Sequence, residues 1–213
     1  MIRLLLVDDH AVVRAGYRHL LQSAHDIEVV AEAASGEEAY QNYIEHKPDV
    51  VVMDLSMPGI GGLEALRRVR ARDGRARVLI FTMHDDAVFP ARAIEAGALG
   101  YLSKSSPPER LLDAIRAIAK GRKFLGDDIA QRVAMSRVTG DRTLLGLTPR
   151  EFEVFVRLAE GEAPADIANS LSLDYKSVIN IQGRIREKLN VQNTAQLVRL
   201  AVRAGVIDAG PKD

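Results

Sequence analysis

Short apolar runs alternate with helix-spaced segments along the first half of this chain, and a polar side chain stands at the end of four of them. Ile2 to Val7, Val50 to Met53, Val78 to Phe81 and Leu99 to Leu102 are rich in Val, Ile and Leu, the pattern of strands buried on both faces of a parallel sheet. Asp8 and Asp9, Asp54, Thr82 and Lys104 follow them. Five strands are expected, near residues 2–7, 27–33, 49–53, 77–82 and 99–102. Helical segments lie between and after them, marked by Val12, Leu20 and Leu21, by Ile94, and by Leu111, Leu112, Ile115 and Ile118. Such alternation predicts an α/β domain, a (βα)5 doubly wound parallel sheet with right-handed crossovers, over residues 1–120. Ligands in this architecture bind at the carboxyl ends of the strands, where the polar set stands.

The pattern changes after residue 120. Residues 121–146 are punctuated by Gly and Asp around one weak helical stretch, Ile129 to Val138, and read as a linker. Thr148, Pro149 and Glu151 then open a helix with a capping box and start a second domain, 147–213. It reads as an all-α domain of four helices, near 148–160, 164–171, 174–189 and 193–204, with Gly161 and Gly205 closing the first and last.

Composition narrows the chemistry. A chain of 213 residues, 47% apolar and 27% charged, suits two soluble domains. With no Cys, a disulfide framework and a thiolate metal site are excluded. The opening apolar run is too short for a signal peptide or a membrane span, so the protein reads as cytoplasmic, with no membrane partner. Lys and Arg, 29 in all, balance 29 Asp and Glu. Residues 1–103 hold 11 basic against 15 acidic side chains, which puts the acids where a cation site wants them.

Three carboxylates brought together repel one another unless a cation shares the site. An oxygen-only set of Asp8, Asp9 and Asp54 suits Mg²⁺. Asp54, ending the central strand, can act as a nucleophile toward phosphorus. Lys104 supplies a point charge and Thr82 a hydroxyl for the phosphoryl oxygens. Taken singly, Asp9 and Thr82 also read as helix caps and Lys104 as a solvated charge. It is their convergence on strand ends that singles them out. His10 and His84, beside the pocket, read as polar loop residues.

VDDH at 7–10, MDLSMPGIGGLE at 53–64, FTMHDD at 81–86 and GALGYLSK at 97–104 resemble a bacterial response-regulator receiver domain. The resemblance implies phosphorylation at Asp54 and metal carboxylates Asp8 and Asp9 with Asp54. It also implies a switch hydroxyl at Thr82, the family lysine at Lys104 and a switch aromatic at Tyr101. A histidine kinase would be the phosphodonor, and the chain would be a phospho-acceptor with slow self-hydrolysis, not a metabolic enzyme. Phosphorylation would free Tyr101 to rotate inward. Ser105 departs from the Pro that many receivers carry there.

In the second domain Val178, Ile181, Ile185 and Leu189 share one helical face, and Lys176, Asn180, Gly183 and Glu187 the opposite one, with Ile179 and Arg186 beside them. A short helix, a turn and this helix form a helix-turn-helix whose second helix would enter a major groove of double-stranded DNA. Asn180 suits adenine edges and Ile179 a thymine methyl, while Arg184, Arg186 and Lys188 suit phosphates. Residues 147–207 resemble a LuxR-type DNA-binding domain, and the whole chain a NarL/FixJ-type response regulator. Ile179 and Ile181 depart from the basic residue and the His common there, and Gly183 replaces a side chain that often reaches bases. The resemblance implies a homodimer through the last helix, where Leu197, Val198, Ala201 and Val202 offer apolar surface. A purely core role for those four is equally open.

Two other readings remain at this point. The helical domain could bind protein, as a signalling adaptor does. An aspartyl-phosphate phosphohydrolase of the haloacid dehalogenase type also combines Asp, Thr and Lys, but its pattern wants a second Asp where Ser56 stands.

Overall fold

A computed structural model describes residues 1–84, 88–131, 133, 143–171, 173–204 and 206–207, with the backbone alone at 143 and 145. Its first half is a parallel sheet. The strands are β1 (Ile2–Val7), β2 (Ile27–Ala33), β3 (Val50–Met53), β4 (Val78–Thr82), β5 (Gly100–Ser103) and β6 (Phe124–Leu125), in the order β2-β1-β3-β4-β5-β6. β3, β4 and β5 are buried throughout, as their unbroken apolar runs require. Helices α1 (Ala11–Gln22), α2 (Gly36–His46), α3 (Gly61–Arg72), α4 (Val88–Glu95) and α5 (Pro108–Ala119) connect them.

The sixth strand corrects the expected five. Phe124 and Leu125 pair with Gly100 and Tyr101, and the amide of Gly126 donates to the Tyr101 carbonyl at 3.1 Å. The sheet therefore extends into the stretch expected to be linker. Two residues make no alternation long enough to read, so only pairing with β5 reveals them. Helix 127–131 follows, with Ile129 and Val133 buried. The rest of the expected Ile129–Val138 helix, Gly205 and the middle residue of the helix-turn-helix turn, Ser172, lie outside the described residues. A second departure is Val12, 87% exposed in the first turn of α1, where Leu21 alone is buried.

After a 3₁₀ turn (Thr143–Gly146) come α6 (Pro149–Ala159), α7 (Pro164–Ser170), α8 (Tyr175–Leu189) and α9 (Thr194–Arg203). Thr148 accepts from the Glu151 amide while Glu151 accepts from the Thr148 amide, the capping box the sequence predicts. Asp174 caps α8 by accepting from the Ser177 amide, and Asn190 ends it in the left-handed region.

The apolar interior has two parts divided by the sheet. One, under α1 and α5, gathers Leu4, Leu6, Val52, Phe81, Leu111 and Ile115. The other gathers Val7, Met53, Tyr101 and Phe89 and continues without a break into Phe152, Phe155, Ile167, Ile185 and Leu197 of the helical domain. The two domains are thus docked through an apolar seam, with a cavity of about 130 Å³ left along it.

Candidate functional site

Adjacency of β1, β3, β4 and β5 in the sheet lines up Asp8, Asp54, Thr82 and Lys104, because each stands at or just beyond the carboxyl end of its strand. The Lys104 ammonium lies 2.7 Å from Asp8 Oδ2 and 2.5 Å from Asp54 Oδ2. Asp8 and Asp54 are 2% and 4% exposed. Burial works to lower the pKa of Lys104, but the two carboxylates outweigh it and hold the ammonium above its ordinary value. Asp54 Oδ1 accepts from the amides of Leu55 at 2.6 Å and Ser56 at 3.3 Å. Backbone donors fix one oxygen and Lys104 the other, so the carboxylate is held in a single orientation.

The paired glycines after Asp54 serve the same geometry. A Cβ on Gly62 would run into the Asp54 carbonyl, so α3 can start this close to the strand end only on glycine. Gly61, with φ +68, makes the turn into that helix.

Asp9 Oδ1 is buried without a hydrogen-bond partner; His10 Nδ1 lies 2.9 Å away but is not aligned to donate. A desolvated carboxylate oxygen left unpaired beside a second carboxylate is what a hard cation would satisfy, so the donor set fits Mg²⁺. Among the described residues, the donor atoms within 4.8 Å of one another belong to Asp8, Asp9 and His10. Asp54 is outside that group, joined to Asp8 through Lys104 instead. His10 was expected to be a bystander, yet its amide also donates to Asp8 Oδ1 at 2.9 Å.

Thr82 Oγ1 is likewise buried with no partner. Tyr101, expected to move inward on phosphorylation, is already fully buried, its hydroxyl donating to the His84 carbonyl at 2.6 Å. His84 is the residue that sequence reasoning undervalued. Its Nε2 is 2.7 Å from Ser56 Oγ, two residues past Asp54. Its ring stacks on Phe89 with centroids 4.1 Å apart, and Phe89 meets Phe152 edge-on at 4.7 Å. A continuous series of contacts therefore runs from the loop after Asp54 to the helical domain. Ser56, standing where the hydrolase pattern has its second Asp, is engaged with this histidine.

Arg92 of α4 was also not foreseen. It is 4% exposed, donates to the carbonyls of Leu144, at 3.2 Å, and Leu147, and lies over the Phe152 ring. Burial, reinforced by Arg67, lowers its pKa to about 10.

In the helical domain Lys176, Ile179, Asn180 and Gly183 are exposed on α8, as expected. Two of the basic residues are ion-paired within the domain. Lys188 Nζ is 2.6 Å from Glu151 Oε2 and Arg184 Nε 3.4 Å from Oε1, so these two cations, expected at phosphates, carry ion pairs to α6 while their side chains stay 38% and 57% exposed. Arg186 is half-buried, with an Nε that has no hydrogen-bond partner. The reason is Glu151, only 3% exposed, whose buried charge needs counterions. Of the four expected dimer residues, Leu197 and Ala201 are core, 1% and 0% exposed, because α9 needs one apolar face to pack on α6. Val198 and Val202 are half-buried at its edge.

Comparison with known proteins matches residues 4–116 to the family described as "Response regulator receiver domain" and residues 145–201 to "Bacterial regulatory proteins, luxR family". The chain is 38% identical over 212 residues to "Response regulator UvrY" of Escherichia coli strain K12, covering 98% of this chain and 97% of that protein. It is 40% identical over 208 residues to "Transcriptional activator protein ExaE" of Pseudomonas putida, covering 96% and 97%. A crystal structure of a LuxR-family two-component response regulator from Aurantimonas sp. SI85-9A1 is 54% identical, covers 65% of this chain and 99% of its own, and superposes with a TM-score of 0.63.

Proposed function

The chain belongs to the response-regulator family, with a receiver domain followed by a LuxR-type DNA-binding domain, and from that membership we propose that phosphorylation of Asp54 controls how the second domain engages DNA. The observation that carries the proposal is Lys104 bridging Asp8 and Asp54 at the carboxyl edge of the sheet. In the transfer step an Asp54 carboxylate oxygen attacks the phosphorus of a phosphohistidine on a sensor kinase. The new P–O bond forms as the P–N bond breaks, and the imidazole leaves. Asp8 and Asp9, together with Asp54, would hold Mg²⁺, which would supply charge neutralisation on the phosphoryl oxygens.

Lys104 then exchanges part of its pairing with Asp54 for a phosphoryl oxygen, and the unpaired Thr82 hydroxyl gains an acceptor. Thr82 and Lys104 are already joined, the Lys104 amide donating to the Thr82 carbonyl at 2.8 Å. Movement there is transmitted through His84 and Phe89 to Phe152 and loosens the docked helical domain. Two released copies grip a duplex as a dimer, with Val198 and Val202 at the edge of α9 as the remaining apolar contacts. Among the described residues no helix is long and apolar enough to cross a membrane.

Acetyl phosphate and Mg²⁺ test the reading directly. Wild type is expected to gain one phosphoryl group by intact mass and to shift toward dimer and tighter DNA binding. Asp54→Ala is expected to do neither, and phosphorylation of that variant within residues 1–120 would overturn the assignment.

A further inference from the structure

We propose that α8 reads thymine methyl groups in the major groove through Tyr175 and Ile179, and that Gly183 is bare so that the duplex can close onto the helix backbone there. The proposal rests on α8 being the groove helix and specifies what it recognises. Residues four apart on a helix form rows. Tyr175, Ile179, Gly183 and Glu187 make one row, and Lys176, Asn180, Arg184 and Lys188 make its neighbour. The first is uncharged through Gly183 and open to solvent, with Tyr175 58% and Ile179 37% exposed. The apolar residues that pack α8 onto the domain, Val178, Ile181, Ile185 and Leu189, are all buried on another face, so these two contribute little to the core.

Gly183 is harder to explain from within the protein. Its backbone is ordinary, since it is absent from the positive-φ residues of the described chain. A Cβ there would meet nothing within 4 Å. Glycine inside a helix costs about 1 kcal/mol relative to alanine, and neither conformation nor packing offsets it here. Close approach by a partner does.

Ion pairing distinguishes the two ends of the helix. Arg184 and Lys188 are paired with Glu151, and Glu187 adds a negative charge to the same half. The half from Tyr175 to Gly183 has only Lys176 as a charged group and is free of such ties. Insertion by the N-terminal part is also how recognition helices meet base edges. Thymine alone presents a methyl group in the major groove, and an apolar side chain is its complement. Asn180 and Lys176, in the adjoining row, suit the adenine or guanine edges beside it.

The test uses the full-length protein treated with acetyl phosphate and Mg²⁺ to select duplexes from a random-sequence library. The enriched duplex is resynthesised with deoxyuridine replacing each thymine in turn, which removes a methyl and leaves every hydrogen-bonding atom. Wild type is expected to lose about fourfold in affinity per contacted methyl, and Ile179→Ala and Tyr175→Ala to lose nothing further at their respective thymines. Gly183→Ala is expected to melt higher than wild type yet bind roughly tenfold more weakly, as over-filling of a tight contact requires. An enriched duplex indifferent to every deoxyuridine overturns the methyl reading, and Gly183→Ala binding as wild type overturns the close approach. If no duplex is enriched, the DNA-binding role itself falls, a result distinct from the other two.

Discussion

The guanidinium of Arg92 sits 4.3 Å from the centroid of the Phe152 ring, a receiver cation stacked on an aromatic side chain of the DNA-binding domain. The same group donates to the carbonyls of Leu144 and Leu147. One side chain of α4 therefore holds both the start of the second domain and its first helix. Arg92→Ala would leave two carbonyls without donors and remove the stacking, at a cost of about 2–4 kcal/mol to docking. Small-angle scattering of the unphosphorylated variant is expected to show a larger radius of gyration, and an unchanged one would remove Arg92 from the clasp.

Thr82 gives a sharper test because its hydroxyl is buried and unpaired. Thr82→Val keeps the branched shape and deletes the unsatisfied group, so stability is expected to hold or rise by about 1 kcal/mol. Phosphate should still attach to Asp54, but DNA affinity should no longer respond. Calorimetry and a phosphorylation-dependent gel shift read the two halves separately, and a wild-type response would exclude the hydroxyl from the switch.

Glu151 links the cap of α6, the core and α8. Burial acts to raise its pKa, yet Lys188 and Thr148 overcome this and hold it below its ordinary 4.5. A depressed carboxyl pKa means stability that is present above the unfolded value and lost as pH falls through the folded one. Glu151→Gln is expected to cost about 1–2 kcal/mol near neutral pH through the weakened cap and pairs. That difference should shrink as pH drops below 4.5, and denaturant midpoints measured across the acid range would check it.

Glu153 behaves in the opposite sense. Burial pushes its pKa up, with Arg150 only partly opposing, and Oε1 is buried without a partner. It lines the interdomain cavity opposite Gly61 and Gly62. A raised carboxyl pKa means docking that is strongest below 4.5 and weakens as pH climbs through the folded value. Glu153→Gln imitates the neutral form and is expected to favour the docked arrangement by about 1 kcal/mol, seen as a higher acetyl phosphate requirement for DNA binding. A lower requirement would reverse the assigned sign.

Sequence alone determined the first five strands, the helices with a clear 3.6-residue spacing and the side chains that end the strands, whereas the two-residue β6 came only from its pairing with β5. Alternating apolar runs record burial on two faces, and a strand end is a local event, so Asp8, Asp54, Thr82 and Lys104 were placed correctly without knowing what lay between them. The capping box at Thr148 and Glu151 and the bounds of α6 to α9 were legible for the same reason, since caps and 3.6-residue spacing act within one or two turns. Partnership across the chain was decided only by the tertiary structure. Lys104 pairs with residues 96 and 50 positions away, Lys188 with one 37 away, and Arg92 with carbonyls 52 and 55 away. None of these leaves a periodic trace. Nor does periodicity distinguish an apolar face turned to its own core, as at Leu197 and Ala201, from one offered to a second copy. That choice is made by whatever packs against it once the chain has folded.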